Sequence, residues 1–348
     1  MSAIFTSDNQ APVAVEIMEA ILRANTGKAS SYGADEITRR LQHTFSEVFE
    51  TGVRVFPVAT GTAANALALA MLTPPWGTVF CHEEAHITTD ECGAPEFFTA
   101  GAKLKPLPGA HGRLTPQVLA DCLRDNQPGD QHQTQPAVLS LTEATEAGTV
   151  YGPQAIAELT AIAREHRLYV HMDGARFANA AASLNCTPAD LTWRAGVDVL
   201  SLGATKNGAL AAEAVVFFRP ELAENFQYRR KRAGHLVSKM RYISAQLEAY
   251  LENGLWLELA ANANRQARRL AEGLAAISTV EILHPVEANE IFARIPADVI
   301  EALRARGFGF HVWGRQEEGI IRLVCAFDTS PGEADQFAAA VRECVETV

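Results

Sequence analysis

The sequence has 348 residues, 48% of them hydrophobic and 20% charged, which is typical of a globular chain long enough for two domains and a large buried core. Its formal net charge of −11, from 30 basic and 41 acidic residues, argues against nucleic acid or an anionic membrane surface as a partner. No apolar run approaches the length of a membrane span, and the first residues lack the pattern of a signal peptide. Six scattered cysteines without a C-x-x-C pair are typical of reduced thiols, so we expect a cytoplasmic protein.

The first half of the chain predicts an arm and two helices, followed by alternating strands and helices. Helical spacing is found at residues 14–22 and 36–49, on either side of a Gly- and Ser-rich loop. Strand-like runs then alternate with helical segments, a pattern typical of a parallel sheet covered by helices. The strand-like runs are 53–58, 77–81, 103–107, 137–142 and 168–173, and the helical segments are 61–72, 116–123 and 153–166.

A possible anion site follows the first strand-like run. Thr60, Gly61 and Thr62 open an alanine-rich helix, and small residues with free backbone N–H groups at a helix N-terminus bind phosphate. A threonine that only caps its own helix produces the same pattern. We favour phosphate binding because of the lysine described below.

Residues 82–86 read His-Glu-Glu-Ala-His and match the H-E-x-x-H pattern of zinc proteases. That pattern needs a helix, so that both histidines face one metal ion. Here it follows a strand directly, and no third ligand stands at a familiar spacing. We therefore expect no metal site, and we interpret His86 as a strand-end histidine in a cofactor pocket.

Two later strands end in a carboxylate and an amine. The run 168–176 carries Asp173 near its end, and Lys206 stands between the two apolar runs of 197–218. A buried lysine is costly unless it is paired or consumed in a Schiff base, although a solvated lysine in a hairpin turn is the alternative. Ligands of parallel α/β sheets bind beyond the carboxyl ends of strands. The pair suits pyridoxal phosphate, whose aldehyde needs an amine and whose pyridine nitrogen needs a carboxylate.

The rest of the chain predicts helices and then a smaller α+β domain. Residues 239–277 are mostly helical, and the strand-like runs after residue 278 are 280–283, 290–294, 309–312 and 320–325, with helices at 298–306 and 331–345. Arg322, within the last of these runs, faces either solvent or a ligand. The predicted division is an N-terminal arm and helix at 1–35, a large domain at 36–245 and a small domain at 246–348.

Several short motifs occur in order along nearly the whole chain: Ser7-Asp8-Asn9, Tyr32-Gly33, Thr60-Gly61-Thr62, His86, Glu143-Ala-Thr145, HMDGARFANA around Asp173, GATKNG around Lys206 and Ile321-Arg322-Leu323-Val324. Taken together, they resemble the motifs of the low-specificity L-threonine aldolases, which are fold type I pyridoxal phosphate enzymes of the beta-eliminating lyase/threonine aldolase superfamily. The resemblance covers nearly the whole chain in order. It implies an α/β fold, with a large domain built on a mostly parallel seven-stranded sheet and a smaller C-terminal α+β domain.

The resemblance implies how the cofactor is held. Lys206 matches the lysine that forms a Schiff base with the cofactor, and Asp173 matches the partner of the pyridine nitrogen. His86 matches an imidazole stacked on the cofactor ring. Thr60-Gly61-Thr62 matches the phosphate-binding helix start, and Arg176 is expected close to the cofactor.

The resemblance also implies a substrate and an assembly. The activity is cleavage of L-threonine, L-allo-threonine and related L-β-hydroxy-α-amino acids such as phenylserine to glycine and an aldehyde. Ser7, Arg176 and Arg322 match groups around the substrate carboxylate. Members of the family are dimers of dimers whose active sites are completed by the neighbouring subunit. Such an arrangement would explain Tyr32 and the basic cluster 228–232, whose residues either face solvent or reach the phosphate.

One position departs from the family pattern. Many members carry a histidine where this chain has Glu146, and that histidine is thought to touch the β-hydroxyl group of the substrate. The general base is therefore left open between His86, Glu146 and a water molecule. A carboxylate on a flexible side chain would discriminate weakly between positions of the β-hydroxyl group. We therefore expect selectivity for the L configuration at Cα and acceptance of both configurations at Cβ. The segment Asn9-Gln10-Ala11 also differs from the family, and a cation site there cannot be assumed.

Two alternatives to this aldol cleavage stay open. One is another fold type I reaction, either β-elimination or transamination. The other is a non-catalytic protein of the same fold that senses a ligand. The joint presence of Lys206, Asp173, Arg176 and Arg322 favours an enzyme over a sensor.

Overall fold

The computed structural model of the chain describes residues 3–126 and 128–347. A seven-stranded sheet of order β1-β7-β6-β5-β4-β2-β3 forms its larger part. β7 pairs antiparallel with β1 and β6, and the other four pairings are parallel, which confirms the predicted α/β fold. The strands are β1 Arg54–Val58, β2 Gly77–His82, β3 Lys103–Leu107, β4 Gln135–Thr142, β5 Tyr169–Gly174, β6 Val199–Gly203 and β7 Glu213–Phe217.

The central strands are apolar because helices cover both faces of the sheet. All residues of β2, β6 and β7 are buried, as expected for strands that read as continuous Val-, Leu- and Ala-rich runs. The two apolar runs predicted on either side of Lys206 are the adjacent strands β6 and β7. Lys206 itself lies in a short 3-10 turn, Thr205–Asn207, at the carboxyl end of β6.

The helices begin and end where capping residues and left-handed positions occur. Asp35 accepts a hydrogen bond from the backbone N–H of Thr38 and begins the second helix. Asn253 and Gly254 have φ values of +53° and +76° and separate two helices within the long helical stretch that the sequence predicts. Among the described residues, no helix has both the length and the hydrophobicity of a membrane span. The helices are α1 Val15–Ala24, α2 Glu36–Val48, α3 Gly61–Leu72, α4 His86–Thr89, α5 Ala94–Phe98, α6 Pro116–Arg124, α7 Pro153–Glu165, α8 Phe177–Leu184, α9 Phe226–Arg232, α10 Arg241–Leu251, α11 Leu255–Ala275, α12 Ala297–Ala305 and α13 Pro331–Thr347.

A second, antiparallel sheet of order β10-β11-β9-β8 carries the C-terminal part of the chain. Its strands are β8 Glu281–Ile282, β9 Glu290–Arg294, β10 His311–Val312 and β11 Ile320–Val324. Phe5 of the N-terminal arm joins the core beneath this sheet and packs edge-on against Phe337 at 5.4 Å between ring centroids. The arm therefore belongs to the small-sheet core, whereas Ile17 of α1 belongs to the core of the large sheet.

The proposed domain boundary at residues 245 and 246 falls within α10. The helix α11 contributes to both hydrophobic cores instead. Ala260 packs in the core of the large sheet, and Ala267 packs in the core of the small sheet. The sequence could not indicate this boundary between the cores, because its helical periodicity continues through α11. The division into three parts remains a prediction.

Gly203 lets the end of β6 approach the turn that follows β5. A Cβ atom at Gly203 would lie 2.6 Å from the carbonyl oxygen and 2.8 Å from the Cα atom of Ala175. Backbone atoms cannot move aside to relieve such a contact as the end of a flexible side chain can. The contact lies where the chain segments carrying Asp173 and Lys206 approach each other, because Ala175 follows Asp173 and Gly203 precedes Lys206.

We expect Gly203→Ala to lower the free energy of unfolding by about 1–3 kcal/mol, because the added methyl group overpacks a rigid backbone contact. Gly52→Ala is the matched control, since a Cβ atom there meets nothing within 4 Å. The measurement is the thermal denaturation midpoint by circular dichroism. Equal midpoints for the two variants would contradict the role given to this contact.

Candidate active site

Two adjoining cavities lie at the carboxyl ends of β4, β5 and β6. The first has a volume of about 290 Å³, and the second, on the side of the small sheet, about 630 Å³. His86, Glu146, Arg176 and Lys206 line both. The structure thus brings together every predicted site residue except Tyr32: Asp173 and Thr60, Gly61 and Thr62 line the first cavity, and Ser7 and Arg322 line the second.

The turn that carries Lys206 is held in place by its neighbour. The amide of Asn207 donates to the hydroxyl of Tyr250 and to the carbonyl of Trp256, both at 2.9 Å. Gly208 follows with φ +102°, a conformation that favours glycine. The lysine is therefore presented to both cavities by a rigid turn.

Asp173 is oriented by two donors. Its Oδ1 atom accepts from the backbone N–H of Ala175 at 3.0 Å, and its Oδ2 atom accepts from the amide of Asn65 at 2.6 Å. The carboxylate is 4% exposed and lines the first cavity. It can hold a cationic ring nitrogen there.

Asn65 also links Asp173 to a histidine-carboxylate pair. The same amide donates to Glu91 at 2.9 Å, and the imidazole Nδ1 of His86 donates to Glu91 at 2.9 Å. The hydrogen bond to Glu91 raises the pKa of His86. Sequence reasoning missed Glu91 and Asn65, although a polar residue in the otherwise apolar start of α3 is a signal that could have pointed to Asn65.

The two histidines of the H-E-x-x-H pattern are used differently. The ring of His82 lies against backbone, with Nε2 2.9 Å from the carbonyl of Gly109 and Nδ1 accepting from Glu84 N–H. His86 begins the four-residue helix α4 instead. Within residues 3–126 and 128–347, no group of three or more His, Cys, Asp or Glu side chains is placed to hold a metal ion.

Glu146 is a buried carboxylate with one free oxygen. Its Oε1 atom accepts from the backbone N–H of His86 at 2.8 Å and from the hydroxyl of Thr142 at 3.0 Å. Its Oε2 atom has no hydrogen-bond partner among the described residues. Burial, reinforced by the negative charge of Asp173, raises the pKa of Glu146 to about 7. The expectation of a flexible carboxylate is therefore wrong, because two donors hold the group.

Arg176 is engaged by two buried carboxylates. Its guanidinium donates to Asp8 through Nε at 2.7 Å and Nη2 at 3.0 Å, and its Nη1 lies 3.2 Å from Glu290. Burial by itself lowers the pKa of Arg176, but Asp8 and Glu290 outweigh it and raise the pKa overall. Sequence reasoning assigned no role to Asp8 or to Glu290. Asp8 lies within a quoted motif, whereas a glutamate in a strand-like run carries no signal of its own.

Arg322 lies at the second cavity and does not simply face solvent. Its side chain is 19% exposed and stands over the ring of Trp313 at 5.4 Å, with Nη2 donating to the carbonyl of Thr6 at 3.3 Å. The Nε atom has no hydrogen-bond partner in the part of the chain that is described. Ser7 lines the same cavity, and its hydroxyl accepts from Asn9 N–H at 3.2 Å.

The N-terminus of α3 is open toward the first cavity. Thr60 caps the helix, accepting from Ala63 N–H at 3.2 Å, so the capping interpretation is correct. The site is nevertheless accessible to an anion, because a Cβ atom at Gly61 would meet nothing within 4 Å. Free N–H groups and the helix dipole together make this end suitable for a phosphate group.

The basic cluster and Tyr32 lie away from both cavities. Arg230 is buried and donates to the carbonyl of Pro57 at 3.1 Å. Lys231 stands over the ring of Tyr32 at 4.5 Å, and Tyr32 is 50% exposed. Their predicted roles in a neighbouring subunit stay predictions.

Comparison with known proteins identifies the family of this chain. The beta-eliminating lyase family model matches residues 5–298. The chain is 46% identical to a low specificity L-threonine aldolase of Pseudomonas aeruginosa, over 97% of this chain and 96% of the relative. It is 44% identical to the enzyme of the same name from a Pseudomonas species, with the same coverage.

Solved structures of related proteins share the fold of this chain. A threonine aldolase of Leishmania major superposes with a TM-score of 0.93 at 28% identity and 99% coverage of both chains. A Sphingomonas wittichii serine palmitoyltransferase, 13% identical, shares the fold with a TM-score of 0.75, covering 99% of this chain and 88% of its own. The chain therefore belongs to the beta-eliminating lyase family, together with the low specificity L-threonine aldolases.

Proposed function

We propose that the protein is a pyridoxal phosphate-dependent aldolase that cleaves the Cα–Cβ bond of L-threonine, L-allo-threonine and related L-β-hydroxy-α-amino acids to give glycine and an aldehyde. The observation that carries the proposal is one cavity lined by the amine of Lys206, the carboxylate of Asp173 and the open N-terminus of α3. Identity of 44–46% with two low specificity L-threonine aldolases along nearly the whole chain supports it.

The residues of the first cavity fit the cofactor. Thr60, Gly61 and Thr62 would hold its phosphate, and Asp173 its pyridine nitrogen. His86, whose ring nitrogen is anchored on Glu91, would lie against the ring, and Lys206 would hold the aldehyde carbon. When bound, pyridoxal phosphate supplies an electron sink for the bond broken at Cα.

The second cavity fits the amino acid. Arg322 and Ser7 line it beside Lys206, and a guanidinium binds a carboxylate through two parallel hydrogen bonds. Holding the carboxylate and the amine together fixes the configuration at Cα, which supports selectivity for L amino acids. Phe292 and Trp313 provide apolar walls that suit a bulky aldehyde portion such as that of phenylserine.

Glu146 is the base that the geometry favours for the β-hydroxyl proton. Its side chain lines both cavities, its Oε2 atom has no hydrogen-bond partner among the described residues, and a pKa near 7 suits a group that takes up and returns a proton at neutral pH. His86 has one ring nitrogen committed to Glu91. The backbone N–H of His86 instead helps to orient Glu146.

We also propose a homotetramer, a dimer of dimers, in the cytoplasm. Val15, Met18 and Leu22 of α1 are 69%, 40% and 64% exposed, and such apolar surface is typical of a contact between subunits. Tyr32 lies outside both cavities of its own chain, as a residue that completes a neighbour's site would. Free cysteines throughout the described residues are consistent with a reducing compartment.

The proposal is tested by aldehyde release. Lys206→Ala should abolish both acetaldehyde formation from L-threonine and the visible absorbance of protein-bound cofactor, because among the described residues Lys206 is the one lysine that lines the cavities. Lys103→Ala, on the exposed edge of β3, is the control and should retain both. The assay contains no keto acid, so that turnover by the wild-type protein distinguishes lysis from transamination. Turnover only after a keto acid is added would contradict the proposal.

The role of Glu146 predicts a pH profile. Its carboxylate must be ionised to accept a proton, so kcat should fall about tenfold per pH unit below the raised pKa of about 7. Glu146→Gln should lower kcat by about 10²–10⁴-fold and remove this acidic limb. Glu83→Gln, an exposed neighbour of the site, should keep the wild-type profile. An unchanged limb in Glu146→Gln would show that His86 or water is the base.

The single free oxygen of Glu146 predicts tolerance at Cβ. One hydrogen bond to the β-hydroxyl group discriminates between epimers by about 1–2 kcal/mol, or roughly tenfold. We expect kcat/KM values for L-threonine and L-allo-threonine within about that factor, and D-threonine should not react. A preference above about a thousandfold between the L epimers, equivalent to about 4 kcal/mol, would be too large for this contact.

A further inference from the structure

Glu290 is a buried carboxylate that stands between the two arginines of the second cavity. Its Oε2 atom lies 3.2 Å from Nη1 of Arg176, and its Oε1 atom lies 3.8 Å from Nη1 of Arg322. The side chain is 1% exposed, and among the described residues neither oxygen has a hydrogen-bond partner. Guanidinium groups are strong hydrogen-bond partners of carboxylates, so Glu290 lies beside the same two arginines that an amino-acid carboxylate would approach.

The backbone keeps Glu290 in this position. It is the first residue of β9 and pairs with Val324 of β11, so that Arg322 lies diagonally opposite on the neighbouring strand. On its other side lies Gly148, where a Cβ atom would come within 2.7 Å of the Glu290 carbonyl oxygen. Because backbone fills both sides, only the side-chain torsions of Glu290 can move its carboxylate.

Charged groups from four parts of the chain act on Glu290. Arg176 precedes α8, Arg322 lies on β11 and Lys206 follows β6, while Asp8 of the N-terminal arm adds a like charge. Glu146, on the loop after β4, lines the same cavity. Burial raises the pKa of Glu290 and the nearby Asp8 raises it further, against the opposing effect of the two arginines and Lys206. A second carboxylate brought to the same arginines would disfavour ionised Glu290 more strongly.

We infer that Glu290 occupies the arginine pair in place of the substrate carboxylate and takes up a proton from solvent when an amino acid binds. This rests on the proposed function, since it requires an α-carboxylate at Arg322 and Arg176. Protonation adds one hydrogen to a Glu290 oxygen, which then donates a hydrogen bond instead of repelling the incoming carboxylate. Glu290 is thus a positioning residue. Its ionised form, which becomes more populated as pH rises, weakens binding of the amino acid, and it leaves the bond-breaking step unaffected.

Glycine is the probe, because it carries the carboxylate and amine of the substrate without a bond to cleave. Its binding to the cofactor-loaded protein is measured by isothermal titration calorimetry in two buffers of different ionisation enthalpy, which counts the protons taken up. At about pH 8, Glu290→Gln should bind glycine roughly tenfold more tightly than the wild-type protein and take up about one proton fewer. Glu281→Gln, an exposed glutamate of the same sheet paired with Arg294, should match the wild-type protein.

A second variant and a kinetic measurement separate this from a structural role. Glu290→Met removes the charge while keeping a side chain of similar length, and it should also tighten glycine binding. Both variants should lower KM for L-threonine, with kcat within about threefold of wild type. Weaker glycine binding with unchanged proton uptake in Glu290→Gln would show that Glu290 merely supports the arginines, and would overturn the inference. Failure of the wild-type protein to bind glycine would instead contradict the proposed function, and the inference with it.

Discussion

The ion pair between Arg176 and Asp8 is the interaction on which the geometry of the site depends. The guanidinium belongs to the turn between β5 and α8, Asp8 to the N-terminal arm, and Glu290, its second partner, to the small sheet. One buried group therefore joins three separate parts of the chain beside Lys206. Although burial by itself raises the pKa of Asp8, the charges of Arg176 and Lys206 hold that pKa below its usual range. Buried pairs contribute little to net stability, but loss of one partner costs about 3–5 kcal/mol.

The polar side chains of the two cavities are held in different ways. In the first, hydrogen bonds run without interruption from Asp173 through Asn65 and Glu91 to His86, and they orient each group. In the second, acids and arginines lie close together: Arg176 donates to Asp8, whereas Glu290 lies near Arg176 and Arg322 without a hydrogen bond among the described residues. Groups that must stay in one place are thus bound by directional contacts. Glu146, which lines both cavities, and Glu290 each have at least one carboxylate oxygen without a hydrogen-bond partner among the described residues, and they can exchange protons.

Sequence reasoning identified the residues whose signals are local. Lys206 and Asp173 each stand at the end of an apolar run, and parallel strands bring such ends to one edge of a sheet. The start of α3 is visible as Thr60-Gly61-Thr62 before an alanine-rich helix. The interpretation of Arg322 stayed open because a strand position alone does not say which face a ligand occupies. Its low exposure and its contact with Trp313 show that Arg322 does not simply face solvent, and its role toward a ligand stays a proposal.

The sequence by itself determined the alternation of strands and helices, the α/β fold and the two chemical groups at strand ends, because periodicity and buried apolar runs are properties of neighbouring residues. The short helices α5 and α8 were not among the predicted segments. Only the tertiary structure decided which acids surround them. Asn65 and Glu91 are 26 residues apart, and Asp8 and Arg176 are 168 apart. Such pairs depend on where distant elements pack. The sequence around a single polar residue in a helix or strand does not indicate which residue it will contact. The free oxygens of Glu146 and Glu290 likewise follow from burial, which the packing of both sheets creates.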